Sequence, residues 1–223
     1  PNYLDNNGVP ITSYISLIPL NGSGSFQSAT GTIKGGANFY EAMDTQSQGL
    51  IAENYTNMVN LLSNKDDYQF NLLTTPGLFN SKHTATISSI ITNTQNRGDN
   101  LYVMDLIQFD GTVAEVITEA QSRNSSYVAS YFPWLRIQDP ATGKQVFVPA
   151  STLIPGVFAF NDKTSAPWFA PAGVNRGGLS TVLRTKLKLS TADKASLYTS
   201  NINPIISLPK SGVSVFGQKT LQK

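Results

Sequence analysis

Apolar residues at Ile51, Tyr55, Met58, Val59 and Leu62 fall on one face of a 3.6-residue period, within a helical pattern that begins near Glu41. From residue 68 the rhythm changes. Residues 68–73 read as a strand that ends at the turn signal Thr74-Thr75-Pro76-Gly77. Residues 84–94 predict a helix with Ile87, Ile90 and Ile91 on one side. Residues 100–107 are almost continuously apolar, the pattern of a strand covered on both faces. A helix is expected over 112–122 and an aromatic-rich strand over 126–137. The segment Asp139-Pro140-Ala141-Thr142-Gly143-Lys144 reads as a hairpin turn into a strand over 145–148.

Further on, residues 151–160 suggest a helix weakened by Pro155-Gly156, and 166–178 a Pro/Gly loop. Residues 180–189 alternate, with Val182, Arg184, Lys186 and Lys188 out of phase with Leu183, Leu187 and Leu189. That predicts a strand with one basic face. Ser190-Thr191-Ala192-Asp193 is a capping box that opens a helix to about Ser200, and 212–216 form a last strand. Ahead of the helical pattern, residues 11–18 are apolar and β-prone, while 21–38 are small and polar, a flexible loop or insert. Strand–helix alternation over 68–132 implies βαβ units, hence an α/β fold with a mixed, largely parallel sheet flanked by helices. No internal repeat is visible.

Composition narrows the function classes. The chain of 223 residues is 40% hydrophobic but only 13% charged, about half the usual share. Ser, Thr and Asn supply 63 residues, so the polar surface is mostly neutral. Net charge is +2, yet residues 1–120 carry −7 and residues 121–223 carry +9. Such asymmetry suits head-to-tail association. The absence of cysteine excludes disulfides, thiolate metal sites and a Cys nucleophile, and His83 as the single histidine excludes a multi-His metal site. No apolar run reaches transmembrane length and no signal-peptide pattern opens the chain. It starts at Pro1, which suggests a processed or partial chain.

Several motifs invite chemistry. Arg97-Gly98-Asp99 spells an adhesion tripeptide, but its place before a strand favours a helix-to-strand turn with Gly98 left-handed. The 139–144 segment has Gln at positions 138 and 145, so it lacks the first glycine and the hydroxyl of a phosphate loop. His83 could join Asp105 and a serine as a hydrolase triad, but no Gly-x-Ser-x-Gly elbow exists, and a surface or capping histidine is the simpler reading. Sequons at Asn21, Asn54 and Asn124 are expected by chance in so Asn/Ser/Thr-rich a chain. Arg176, Arg184, Lys186, Lys188 and Lys194 make a basic cluster. Aromatics are not interleaved with it along the sequence, as stacking platforms for nucleic acid would be. An acidic protein surface fits as well, and this chain offers Asp66, Asp67, Glu115 and Glu119, together with Asp44, Glu53, Asp99 and Asp110. Contact between protein subunits is therefore favoured over nucleic acid, and no catalytic, metal or cofactor site is expected.

Motif order adds a family resemblance. Asn71-Leu72-Leu73 with Pro76-Gly77, Tyr131-Phe132-Pro133-Trp134, Val148-Pro149-Ala150-Ser151, the block from Pro167 to Gly177 (Pro-Trp-Phe-Ala-Pro-Ala-Gly-Val-Asn-Arg-Gly), Asn201-Ile202-Asn203-Pro204-Ile205 and Gly217-Gln218-Lys219-Thr220-Leu221 follow one another. Over about residues 50–223 this order resembles the tail sheath proteins of contractile bacteriophages and related contractile injection systems. Ala159-Phe160-Asn161-Asp162 departs from the Ala-Arg-Thr-Asp often found there. The resemblance implies a core of subtilisin-like outline over 51–223, without protease activity or cofactor, preceded by a variable segment over 1–50. It implies that the family's tube-lining C-terminal domain and linker arms are absent from this stretch. It further implies a subunit that polymerises around an inner tail tube and contracts to drive it through the target envelope. The expected partners are other copies, the tube protein, and baseplate and terminator proteins, with no nucleic acid and no membrane insertion. The expected location is the virion tail, assembled in the host cytoplasm.

Overall fold

The computed structural model describes residues 43, 50–209 and 211–223. The apolar run over 11–18, the polar segment over 21–38, the sequon at Asn21 and the helix onset near Glu41 lie outside them. Residues 1–56 and 57–223 cluster as two units, and every strand named below belongs to the second. Helix α1 (Ala52–Leu62) half-buries Tyr55, Met58, Val59 and Leu62, the face its periodicity marks, and leaves Ile51 exposed.

Strands β1 (Leu72–Phe79), β2 (Leu101–Asp105) and β3 (Val128–Phe132) lie parallel and adjacent, joined by helices α2 (Thr84–Arg97) and α3 (Val113–Gln121). The chain then leaves this sheet. It builds a second, antiparallel sheet from β4 (Leu135–Gln138), β5 (Gln145–Val148) and β6 (Val182–Thr185), with a 3-10 turn (Ala150–Thr152) and helix α4 (Ile154–Thr164) between β5 and β6. Helix α5 (Thr191–Thr199) leads back to β7 (Asn203–Leu208), parallel to β3, and β8 (Gly212–Val215) closes the main sheet antiparallel to β7. The order is β1-β2-β3-β7-β8. Val103, Ala129, Tyr131 and Ile205 share a buried cluster with Ile154 and Val157 of α4 and with Leu135 and Val182 of the second sheet. Their alternates Tyr102, Met104 and Val128 are buried too. Both faces of the parallel strands are thus covered, as their apolar sequence requires.

The helix ends follow sequence logic. Thr112 caps α3 and Ser190 caps α5, each with a reciprocal acidic partner, Glu115 and Asp193. α2 runs to Arg97, three residues past the expected 94, and Gly98 caps it in the expected left-handed conformation.

Four expectations need correction. Thr74-Thr75-Pro76-Gly77 is not a turn; β1 runs through it to Phe79 with a register irregularity between Thr74 and Phe79. β1 is a sheet edge, where a proline's missing N–H can face away from the ladder. The strand expected over 126–137 is two strands in two sheets, parted at the cis Phe132–Pro133 bond. Residues 151–160 divide between the 3-10 turn and α4, whose Pro155 sits in the first turn, where no N–H is needed. Finally, β7 was not anticipated. Pro204 argues against a central strand, but the β7–β8 ladder starts one residue later, at Ile205↔Val215.

Two side chains join distant segments. Arg97 is buried and grips Asp99 with two hydrogen bonds, at 3.0 and 2.8 Å, donates to the carbonyls of Leu62 and Tyr68, and lies 4.4 Å from the Phe70 ring centroid. Asn203, fully buried, donates to Ser130 O at 3.1 Å and Lys219 O at 2.7 Å and accepts from Lys219 N at 2.7 Å.

Arg97→Met strands two carbonyls, while the partly exposed Asp99 keeps solvent, and should lower the unfolding free energy by about 1–3 kcal/mol. Arg97→Lys should rescue little of it, because an ammonium cannot reproduce the fork. Urea denaturation checks both, and an Arg97→Met midpoint near wild type would contradict this role. Asn203→Leu leaves the buried Ser130 carbonyl and two partly buried Lys219 main-chain groups unpaired, at about 1–3 kcal/mol for a buried group and less for a partly exposed one. It should destabilise by about 3 kcal/mol or more and expose the segment after β8 to limited proteolysis.

Candidate interaction surface

The second sheet carries one cation-rich row. Arg136 of central strand β4 stands opposite Phe147 of β5 on one side and Arg184 of β6 on the other. Opposed residues of antiparallel strands share a face. Both guanidinium groups lie over the Phe147 ring, 5.5 Å from its centroid for Arg136 and 5.9 Å for Arg184. Phe109 packs on Phe147 at 5.2 Å and on Trp134 at 5.4 Å, and Lys186 Nζ sits 3.6 Å from the Phe109 centroid. Cations and aromatics are therefore interleaved in space although not along the sequence. The rings are already overlain by cations, which leaves them poor platforms for stacked bases.

The single basic face expected over 180–189 does not form. β6 is four residues long and its pairing with β4 shifts between Arg136 and Ile137, so Val182 is buried while Leu183 and Arg184 are both exposed. Lys186 gives its main-chain N–H to Trp134 O at 2.8 Å and turns its ammonium to Phe109 O and, at 3.4 Å, to Asp110. Lys188 is exposed. Lys194 lines a separate groove of about 490 Å³ with Ala170, Tyr198 and Phe216. Arg176 stacks 4.2 Å above Phe169 in the block from Pro167 to Gly177. That block is closed by Gly177, where a Cβ would come within 2.8 Å of the Ala172 backbone. Gly177 donates to Gly173 O at 2.8 Å and accepts from Val215 N at 2.8 Å, which binds the block to β8. Sequence reading passed over Arg136, whose signal was the alternation Leu135-Arg136-Ile137-Gln138.

The acidic candidates divide as well. Glu115 is taken up by the α3 cap, where hydrogen bonds from the Thr112 main chain and hydroxyl hold its carboxyl below the usual range. Glu119 accepts from Asn80 Nδ2 at 2.6 Å. Asp66 and Asp67 are exposed in the loop after α1, with Asp67 accepting from Asn64 Nδ2 at 2.6 Å, and neither forms an ion pair among the described residues.

The triad candidates do not assemble. His83 is buried rather than at the surface, and its Nδ1 accepts the Phe79 N–H at 3.0 Å, a structural bond. Asp105, at the end of β2, instead meets Ser151, accepting from its hydroxyl and, at 3.3 Å, from its main-chain N–H. Burial pushes the Asp105 carboxyl up to about 7 against these two bonds. Arg97 of the adhesion-like tripeptide is buried, and the 139–144 segment is a turn tied by Asp139 to Ala141 N and Thr142 Oγ1.

No protein-family model matches the chain. Over 111 residues, 50% of the chain, it is 29% identical to the tail sheath protein of Vibrio phage KVP40. Over 74 residues, 33% of the chain, it is 34% identical to the tail sheath protein of Enterobacteria phage T4. The matched stretches span only 16% and 11% of those relatives. The chain superposes on the contracted helical sheath of the anti-feeding prophage with a TM-score of 0.60 and 24% identity, covering 78% of this chain and 45% of that one. For the contracted sheath of an extracellular contractile injection system, PVC, the values are 0.59 and 22%, covering 74% and 44%. The sequence is thus similar to phage tail sheath proteins, and the fold is that of contractile sheath subunits.

Asp105 makes stability depend on pH. In the unfolded chain an Asp ionises near 3.8, whereas folded Asp105 holds its proton to about 7. Between those values the unfolded state binds fewer protons, so stability falls as pH rises, by up to about 1.4 kcal/mol per unit. Urea midpoints measured from roughly pH 5 to pH 7 should decline in the wild type, and Asp105→Asn should flatten that decline.

Proposed function

We propose that this chain is the core of a contractile sheath subunit, a structural protein that stacks with copies of itself around an inner tail tube. Contraction of the assembled sheath would drive that tube through a target envelope. The similarity to phage tail sheath proteins over half of the chain carries this reading. The fold supports it, as does the fate of the hydrolase candidates, with His83 and Asp105 each in a structural bond of its own. On this reading residues 51–223 are the sheath core and 1–50 a variable segment. The partners are further copies, the tube protein, a baseplate and a terminator, and the place is the tail, assembled in the host cytoplasm.

The physical mechanism rests on contrast between contacts. The buried core keeps each subunit intact through the stroke. Exposed charge pairs of about 0–1 kcal/mol each can be exchanged between two packings. The stroke then draws on a small difference per subunit, summed over many copies.

Electron microscopy of the full-length product that contains this chain tests the proposal. Hollow, transversely striated tubes that also occur in a shorter, wider form are expected. Monodisperse globules under all conditions would overturn it.

A further inference from the structure

Two guanidinium groups stand opposed across one antiparallel pair, Arg136 on β4 and Arg184 on β6. Like charges so placed destabilise a sheet. The two ion pairs formed among the described residues are Arg97–Asp99 and Lys186–Asp110, and neither relieves this row. Arg136 Nε is buried without a hydrogen-bond partner, while Arg184 is exposed. The Phe147 ring beneath both groups holds them in place but supplies no negative charge. A built row of this kind lacks only an anion.

We propose that the Arg136–Arg184 row is a docking site for the consecutive carboxylates Asp66 and Asp67 of a second copy of this chain, an inference that rests on the sheath reading above. Charge complementarity selects the occupant. Asp99 and Asp110 are spent on ion pairs, Glu115 and Asp193 on helix caps, Asp139 on a turn and Glu119 on Asn80, Asp105 is buried, and Glu53 and Asp162, though exposed and outside any ion pair among the described residues, each stand alone in the sequence and cannot offer two carboxylates. Asp66 and Asp67 are adjacent, exposed and outside any ion pair among the described residues. Consecutive residues are about 3.8 Å apart and opposed strand residues about 5 Å apart, so two carboxylates can meet two guanidiniums as a neutral group of four. The partners lie on different elements, the β4–β6 pair in one copy and the loop after α1 in the next. Such a contact is heterologous, and repeated heterologous contacts close into rings or grow into helices.

The test uses the full-length product with Arg136→Glu/Arg184→Glu, with Asp66→Lys/Asp67→Lys, and with all four changes. Each reversal alone should raise the critical concentration for tube formation by at least about tenfold, and the fourfold variant should restore it. Arg184→Gln guards against a folding defect. Because it removes like-charge repulsion, the thermal midpoint of its unassembled form should hold or rise while assembly weakens, whereas a purely structural arginine would lower that midpoint. Tubes at wild-type concentration in either reversed variant, or no recovery in the fourfold one, would overturn the pairing alone. Wild-type protein without tubes would overturn the sheath reading and this inference with it.

Discussion

The β3–β7 junction fixes where the rest of the chain sits. Its ladder holds two residue pairs, Tyr131↔Asn203 and Phe132↔Pro204, and one of those four residues has no N–H to give. The Asn203 carboxamide, itself fully buried, makes up the deficit by reaching Ser130 on one side and Lys219 on the other. One side chain thereby joins β3, β7 and the closing segment. Between the two strands the chain builds the second sheet, α4, the block closed by Gly177, which bonds to β8, and α5, and then returns to this point. The cation-rich row belongs to that excursion, whose Leu135 and Val182 pack into the same core as Val103 and Ile205.

Charge is distributed by commitment more than by sequence half. The −7 and +9 segments overlap inside one molecule where Lys186 reaches Asp110. Glu115 and Asp193 stabilise helix starts, and their neighbours in the sequence do not decide their use. Among the described residues, the exposed carboxylates outside ion pairs, helix caps and the Asp139 turn are Glu53, Asp66, Asp67 and Asp162, of which only Asp66 and Asp67 are consecutive, and Arg136 and Arg184 are the cations opposed across one strand pair. A formal charge count overstates the number of residues free to meet another copy.

The legible parts of the fold were those governed by local rules. The isoleucine face of α2, the left-handed Gly98 and the Ser190 capping box all depend on residues within a turn or two. Parallel order followed from the strand–helix alternation up to residue 132. Tertiary context overrode local signals elsewhere. Pro76 and Pro204 look like breakers, but one lies on an edge strand and the other ends the short β3–β7 ladder one residue before the β7–β8 ladder starts, positions that no window of sequence displays. The surface was harder still. Arg184 was legible as a basic residue, but its opposition to Arg136 depends on a register shift, and its aromatic bed comes from β5, contributed through a hairpin. Spacing along one strand cannot report a row that runs across three.

A sheath that changes its packing needs two classes of contact with different strengths. On the sheath reading, contacts within the subunit must survive the stroke, and here they centre on buried side chains: Val103, Ile154 and Ile205 in the core, the Arg97 guanidinium with four hydrogen bonds, and Asn203 with three. Contacts between subunits must release, which excludes large apolar patches and favours solvated charge. The charged face of the second sheet rests on aromatic rings, with Arg184 exposed at its edge. The rings restrict the arginines' rotamers, so little side-chain entropy is lost when an anion arrives, while solvent keeps each pair weak enough to break. On the sheath reading, rigidity under the row and weakness above it together allow the same residues to serve two packings.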